Sequence, residues 1–111
     1  MNSNAQTISR IKKLIDSISP STRLAVWGTG NHTSRLLGAT SLAEKNIIKF
    51  YDSDNKKYNY RVLGKKVEKF ERYDIESGAV EAILISAYAA QDAIKAAIEK
   101  ANVDVEIITL Y

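Results

Sequence analysis

The sequence alternates short apolar runs with segments of helical periodicity, and this alternation restricts the fold more than any other feature. The runs are "LAVWG" at 24–28, "NIIKFYD" at 46–52, "EAILISA" at 81–87 and "VEIITLY" at 105–111. Uninterrupted apolar stretches such as "AILI" are typical of strands that are covered on both faces. Strands that alternate with helices form parallel sheets with helices on both sides. We therefore predict an α/β fold, a small doubly wound parallel sheet of about five strands.

The N-terminal segment has the pattern of an amphipathic helix over residues 5–18. Its apolar residues follow helical spacing: Ile8, Ile11, Leu14, Ile15 and Ile18. The helix should end before Pro20, which lacks an amide hydrogen and disfavours helical geometry at the preceding residue. We predict this helix, residues 1–21, packed on a Rossmann-like nucleotide-binding domain, residues 22–111.

The segments between the apolar runs complete the predicted order of elements. A second helix begins near His32 and extends to Leu42, and the alanine-rich segment 87–101 favours another. The polar stretch "SDNKKYNY" is typical of a loop, and Gly64 makes the turn into a short strand near 66–68. The stretch "ERYDIESG" can form one helical turn that ends at its glycine.

Composition excludes several classes of function. The 111 residues include 16 basic and 13 acidic side chains, a net charge of +3. This excess is too small for the electrostatic footprint of a protein that binds nucleic acid or a membrane, and the basic residues are dispersed enough to be solvated surface. The absence of cysteine excludes disulfides, thiol nucleophiles and cysteine-ligated metals. Without a secretory signal or a long apolar segment, we expect a cytoplasmic protein with no membrane span.

The loop "GTGN" follows the first predicted strand and leads into a helix, where doubly wound sheets bind phosphates. The first amides of a helix have no partners inside it and carry the positive end of its dipole. Gly28 permits a sharp turn, and Gly30 removes a Cβ that would keep a phosphate away. Thr33 stands where the dinucleotide fingerprint has its third glycine. The predicted phosphate site comprises Gly28, Thr29, Gly30, Asn31 and His32.

Asp52 is the second signal for a nucleotide. It closes the second predicted strand, 24 residues after Gly28, near the spacing of about 20 residues at which an acidic side chain binds a ribose. Its carboxylate can accept hydrogen bonds from both ribose hydroxyls and repels a 2′-phosphate. With Asp54 it also forms a D-x-D pattern, which holds a metal-bound nucleotide sugar in some transferases but is equally good turn chemistry.

Other polar residues have two interpretations each. His32 is a phosphate donor or an acid–base group, or else an ordinary residue of the first helical turn. Ser86 and Tyr88 follow the strand at 81–87 and either line the same crevice or are plain strand-end residues. Tyr58 and Tyr60 either stack on a base or cap the edge of the sheet.

The stretches "LAVWGTGNHTSRLL", "IIKFYDSDNKK", "RVLGKKV" and "AILISA" resemble a Rossmann-like module of bacterial sugar metabolism. The module is the nucleotide-sugar-binding N-terminal domain of sialic-acid and bacillosamine-type sugar acyltransferases. Similar modules occur in polysaccharide-biosynthesis dehydratases and in sugar C-methyltransferases. The resemblance implies a phosphate turn at Gly28, Gly30 and His32, an acidic pair at Asp52 and Asp54 beside the ribose or sugar, and a structural glycine at Gly64.

The acyltransferases continue into a β-helix of hexapeptide repeats, which this sequence lacks. We therefore expect a stand-alone or excised module, or one whose catalytic partner is a separate subunit. The leading hypothesis is a non-catalytic module that binds a nucleotide or nucleotide sugar in bacterial surface polysaccharide biosynthesis. The alternatives are a small NAD-dependent sugar-modifying enzyme and a ligand-free module that forms a homodimer or docks a catalytic partner. The sequence leaves open whether NAD or a nucleotide sugar is bound, and whether the chain is catalytic.

Overall fold

The computed structural model describes residues 3–111, in which one central sheet separates two layers of helices. The helices are α1 (Ser3–Asp16), α2 (Asn31–Ala39), α3 (Arg72–Glu76) and α4 (Gln91–Lys100). The strands are β1 (Leu24–Trp27), β2 (Ile47–Tyr51), β3 (Arg61–Val62), β4 (Lys65–Glu68), β5 (Ala82–Ile85) and β6 (Glu106–Thr109). Two short 3-10 helices lie at Ser41–Glu44 and Asn55–Lys57.

The strands are ordered β3-β4-β2-β1-β5-β6, and all neighbouring pairs except β3 with β4 are parallel. The chain runs outward from β1 to β2 and β4, then returns to β5 and β6 on the other side of β1. The direction of winding therefore reverses between β1 and β5. In doubly wound sheets this reversal opens a crevice at the carboxyl ends of the strands, where ligands bind.

Alternation along the strands divides the interior into two apolar cores. In β1, Leu24 and Val26 face a core that also contains residues of α1 and α2. The intervening Ala25 and Trp27 face a second core, on the side of α3 and α4. Because both faces are covered, the strands carry continuous apolar runs, and the predicted doubly wound fold is confirmed.

The helix α1 packs on the sheet through the isoleucine stripe that the sequence indicates. Ile11, Ile15 and Ile18 are buried in the first core, whereas Ile8 is half exposed. The stripe is therefore mainly core. No helix among residues 3–111 is long and apolar enough to cross a membrane.

Three local features differ from the sequence-based expectation. The sheet has six strands in the described part of the chain, because the expected loop runs into β3, which pairs with β4 across a two-residue turn at 63–64. Helix α4 begins at Gln91, after a loop at 86–90, because alanine favours a helix without marking its first residue. Helix α2 ends at Ala39, and Leu42 lies in a separate 3-10 helix.

Candidate functional site

The loops that follow β1 and β5 are in contact at the reversal point. Gly28 has a φ of +122°, which residues with a side chain rarely adopt. A Cβ on Gly28 would lie 2.9 Å from Ser86 Oγ. The amide of Gly28 donates to Tyr51 O at 2.7 Å, so that the loop is also joined to β2. The close approach of these elements requires glycine at position 28.

Thr33 and Ser86 form a buried pair of hydroxyl groups beside this loop. The hydroxyl of Thr33 donates to Gly28 O at 2.7 Å and contacts the hydroxyl of Ser86. Ser86 thus joins the end of β5 to the loop after β1, and its side chain bonds within the protein. Thr33, in place of the third fingerprint glycine, connects α2 to β1 through a hydrogen bond.

The first turn of α2 presents amides that lack protein partners. The amides of residues 30–33 donate to no acceptor in the described chain. No side chain caps α2 at Gly30, and a Cβ added there would meet nothing within 4 Å. Asn31, the first helical residue, is exposed beside it. Unpaired amides at a helix start, with open space before them, are suited to binding an anion.

Asp52 directly follows β2 and faces the loop after β1. Its Oδ2 accepts hydrogen bonds from Thr29 N at 3.0 Å and from Thr29 Oγ1 at 2.5 Å. Its Oδ1 accepts from Asp54 N at 2.9 Å. A carboxylate has about four acceptor positions, so one position on Oδ1 remains for a ligand. From the sequence we expected a pair of bonds to a ribose, and the geometry leaves room for one.

Asp54 is exposed and bonded to its own segment of chain. Its Oδ1 accepts from Lys56 N at 3.0 Å and caps the 3-10 helix Asn55–Lys57. This contact is the turn chemistry that the D-x-D pattern allows. Among residues 3–111, no group of three or more acidic or histidine side chains is arranged to hold a metal ion.

A cavity of about 220 Å³ opens beside Asp52, at the carboxyl ends of β1, β2 and β4. Its lining combines three aromatic and three polar residues: Trp27, Tyr58, Phe70, Asp52, Ser53 and Lys69. The ring centroids of Trp27 and Phe70 are 5.2 Å apart with an interplanar angle of 30°. The indole of Trp27 donates to Ser53 Oγ at 3.1 Å. Contacts within the protein therefore hold Trp27 and Phe70 of this wall in place.

A polar network ties β2, β4 and α3 together next to this aromatic pocket. The hydroxyl of Tyr51 donates to Asp74 Oδ2 at 2.7 Å. Lys49 Nζ lies 3.2 Å from Asp74 Oδ1 and 3.4 Å from Glu68 Oε2. Burial, followed by the hydrogen bond to Asp74, raises the pKa of Tyr51 far above its ordinary value. The Tyr51 ring packs edge-on against Phe70, so the network supports the pocket.

His32 lies in the first turn of α2 and contacts a residue 79 positions away in the chain. Its Nε2 is 2.7 Å from the hydroxyl of Tyr111, whose ring packs edge-on against the exposed Tyr88 at 4.7 Å. Gln91, at the start of α4, bonds the backbone of Tyr111. Burial, and to a smaller extent the charge of Arg35, lower the pKa of His32. Burial raises the pKa of the Tyr111 hydroxyl.

Comparison with known proteins places this chain in a family. The family model for the N-terminal domain of C2185-like proteins matches residues 20–109. The chain belongs to this C2185-like N-terminal family. No curated protein matches the sequence.

Solved structures share the fold of this C2185-like domain. A UDP-D-quinovosamine 4-dehydrogenase from Vibrio fischeri has 24% identity and a TM-score of 0.60, over 78% of this chain and 75% of that one. A protein named RSP, solved in complex with beta-NADH, has 14% identity and a TM-score of 0.55, over 79% of this chain and 52% of that one. At these identities the similarity establishes a shared Rossmann-type fold.

The C2185-like domain also has residues at the site that the sequence reasoning missed. Trp27 and Phe70 lie at or just after the ends of β1 and β4, where the rule that ligands bind at strand ends could have indicated them. The sequence showed that Thr33 departs from the fingerprint. It could not predict the hydrogen bond of Thr33 to Gly28, because that bond forms only when α2 packs close to the end of β1. Tyr111 carries no local signal, because its partner His32 is distant in sequence.

Proposed function

We propose that this C2185-like domain binds a nucleotide or nucleotide sugar, with phosphate at the amides of residues 30–33 and the nucleoside in the aromatic pocket. The position of Asp52 is the observation that carries the proposal. Asp52 lines the pocket, and it also fixes Thr29 immediately before the free amides. One side chain therefore borders both halves of the suggested site.

The aromatic pocket favours a nucleotide over free phosphate. Stacking of a base on an aromatic side chain is worth about 1–3 kcal/mol. The partly exposed Tyr58 and Phe70 offer such surfaces, and the buried Trp27 packs behind Phe70. The remaining acceptor position of Asp52 suits one ribose hydroxyl, and its negative charge disfavours a 2′-phosphate. These contacts support a nucleotide with an unmodified ribose.

The resemblance to acyltransferase modules extends the proposal to a biological setting. The domain acts in bacterial sugar or surface polysaccharide biosynthesis, as a non-catalytic module that presents a nucleotide sugar to a separate catalytic subunit. The shared fold with a UDP-sugar dehydrogenase agrees with this setting. The expected location in the cytoplasm and a homodimeric state stay predictions.

Trp27 supplies a direct test, because it is the single tryptophan of the chain and lines the pocket. We expect UDP or a UDP-sugar to change its fluorescence saturably and to raise the melting temperature, since a ligand of the native state stabilises it. NAD, coenzyme A and S-adenosylmethionine are the comparison ligands. If none of these compounds shifts either signal, the proposal fails and the ligand-free docking alternative gains support.

Two glycine variants distinguish an effect on phosphate binding from an effect on folding. Gly30→Ala should fold normally but weaken nucleotide binding at least about tenfold, because its Cβ enters the open space before the free amides. Gly38→Ala, in the same helix and also without neighbours within 4 Å, is the matched control and should bind like the wild type.

Asp52→Asn should weaken binding by about 1.5–3 kcal/mol, the scale of a hydrogen bond to a charged group. Wild-type affinity in both Gly30→Ala and Asp52→Asn would reject the assigned site.

An NAD-dependent enzyme is the second candidate, and the His32–Tyr111 pair is the observation that favours it. His32, in the first turn of α2, and Tyr111, which follows β6, form a hydrogen-bonded pair of titratable groups. Turnover of NADH with UDP-sugars, lost in Tyr111→Phe, is the result that this alternative requires.

A further inference from the structure

The basic residues are concentrated at one edge of the sheet. Residues 55–69 hold six of the 16 basic side chains and one of the 13 acidic ones. The basic residues are Lys56, Lys57, Arg61, Lys65, Lys66 and Lys69. The one acidic residue, Glu68, is paired with Lys49 of β2. This local excess is already present in the sequence, where the small net charge of the whole chain conceals it, because the rest of the chain is more acidic than basic.

Three of these basic residues lie in the β3–β4 hairpin, next to its tip at 63–64. Arg61 lies opposite Lys66, and Val62 lies opposite Lys65. Successive cross-strand pairs face opposite sides of a sheet, so Lys65 and Lys66 place positive charge on both sides of the hairpin.

The tip itself carries an apolar residue in an unfavourable position. Leu63 has a φ of +50°, Gly64 has a φ of +74°, and the Leu63 side chain is 54% exposed. Two-residue hairpin turns with positive φ at both positions favour asparagine or glycine at the first. A leucine at this position has a strained backbone, and its side chain also exposes apolar surface to water. Tyr60, in the same segment, is 61% exposed.

We propose that the β3–β4 hairpin docks on the surface of a membrane that contains anionic lipids. Leu63 and Tyr60 enter the headgroup region, and the surrounding lysine and arginine side chains pair with lipid phosphates. An apolar tip flanked by basic residues is suited to such a surface, in which charged headgroups lie above apolar chains. A nucleic acid would use the positive charge but offers no favourable place for Leu63.

The contribution of Leu63 can be tested without destabilising the protein. Leu63→Asn places a favoured residue at the positive φ, so its melting temperature should rise. Its binding to mixed phosphatidylcholine and phosphatidylglycerol vesicles should nevertheless fall in sedimentation assays. Ile8→Gln removes an apolar side chain of similar exposure, 52%, from α1 and should leave vesicle binding unchanged. Equal vesicle binding by Leu63→Asn and the wild type would overturn the proposal.

The contribution of charge has its own matched control. Lys56→Gln with Lys66→Gln should weaken binding by about fivefold for each charge removed, and high salt should weaken the wild type similarly. Lys95→Gln with Lys100→Gln makes the same change of net charge on exposed positions of α4 and should have little effect. Equal losses in the two double variants, or equal binding of the wild type to pure phosphatidylcholine vesicles, would overturn docking by this hairpin. Lys69 is unchanged throughout because it lines the aromatic pocket, so nucleotide titration remains an independent measurement.

Discussion

At the level of single residues, two glycines in one short loop have different roles. Gly28 is needed because of its backbone conformation and because Ser86 lies where a Cβ would be. Gly30 has a φ of −84° and open space around it, so the fold does not require glycine there. The absence of a side chain at Gly30 leaves the space before the first turn of α2 open.

We expect Gly28→Ala to destabilise the protein by about 2–4 kcal/mol, combining backbone strain with overpacking against Ser86. Urea denaturation measures this change. Gly38→Ala is the control, and it should raise the free energy of unfolding by up to about 1 kcal/mol because alanine favours a helix. If Gly28→Ala unfolds at the wild-type urea midpoint, the loops after β1 and β5 can move apart without lowering the free energy of unfolding, and this account is wrong.

At the level of elements, the short helix α3 depends on a buried connection rather than on its own length. Five residues are too few for a stable isolated helix. Asp74 connects α3 to the side chains of Lys49 and Tyr51 on β2. The Tyr51 side chain is fully buried, so its hydroxyl depends on Asp74 as a partner.

Asp74→Ala should lower the free energy of unfolding by about 2–4 kcal/mol, because it leaves the Tyr51 hydroxyl and part of the Lys49 charge without a partner. Glu76→Ala removes the exposed pair with Arg72 on the same helix and should change stability by about 0.5 kcal/mol or less. A thermodynamic cycle with Tyr51→Phe checks the mechanism. Additive effects of Tyr51→Phe and Asp74→Ala would show that the hydrogen bond between them contributes nothing.

At the level of the whole molecule, Tyr111 connects elements that are far apart in the chain. Its hydroxyl contacts His32 at the start of α2, and its backbone is held by Gln91 at the start of α4. The two helices lie on opposite faces of the sheet. Tyr111 therefore links both helical layers near the crevice.

The burial of His32 beside Tyr111 makes stability depend on pH. The pKa of His32 is lowered from 6.5 by burial and by Arg35, so the unfolded chain takes up a proton before the folded one as the pH falls. The free energy of unfolding should therefore be highest above pH 6.5, decline below it, and level off below the folded pKa. Urea midpoints across this interval, with NMR titration of the chain's one histidine, measure the effect.

His32→Gln is the control for the pH dependence, and it should remove the decline between the two pKa values. Arg35→Gln should move the pKa of His32 toward its ordinary value. A His32 that titrates at or above its ordinary pKa in the wild type would contradict this account.

The sequence was sufficient for the architecture because the relevant signals are local. Apolar runs located four of the six strands, and the glycine after β1 marked the reversal crevice. The hairpin strand β3 escaped prediction because two residues are too few for a periodic pattern. At the site, the spacing of Asp52 indicated its place beside the loop, but not that its carboxylate is mostly occupied by Thr29 and Asp54. Such contacts depend on three-dimensional proximity, which spacing alone does not encode.

The bonds that Asp52 makes to the loop have a consequence for the proposed binding of a nucleotide. A segment already anchored at Thr29 loses its freedom when the chain folds, so an incoming molecule has little left to order. Association at this edge of the sheet should then proceed as docking onto a rigid surface, with its affinity set by fit and desolvation rather than by rearrangement.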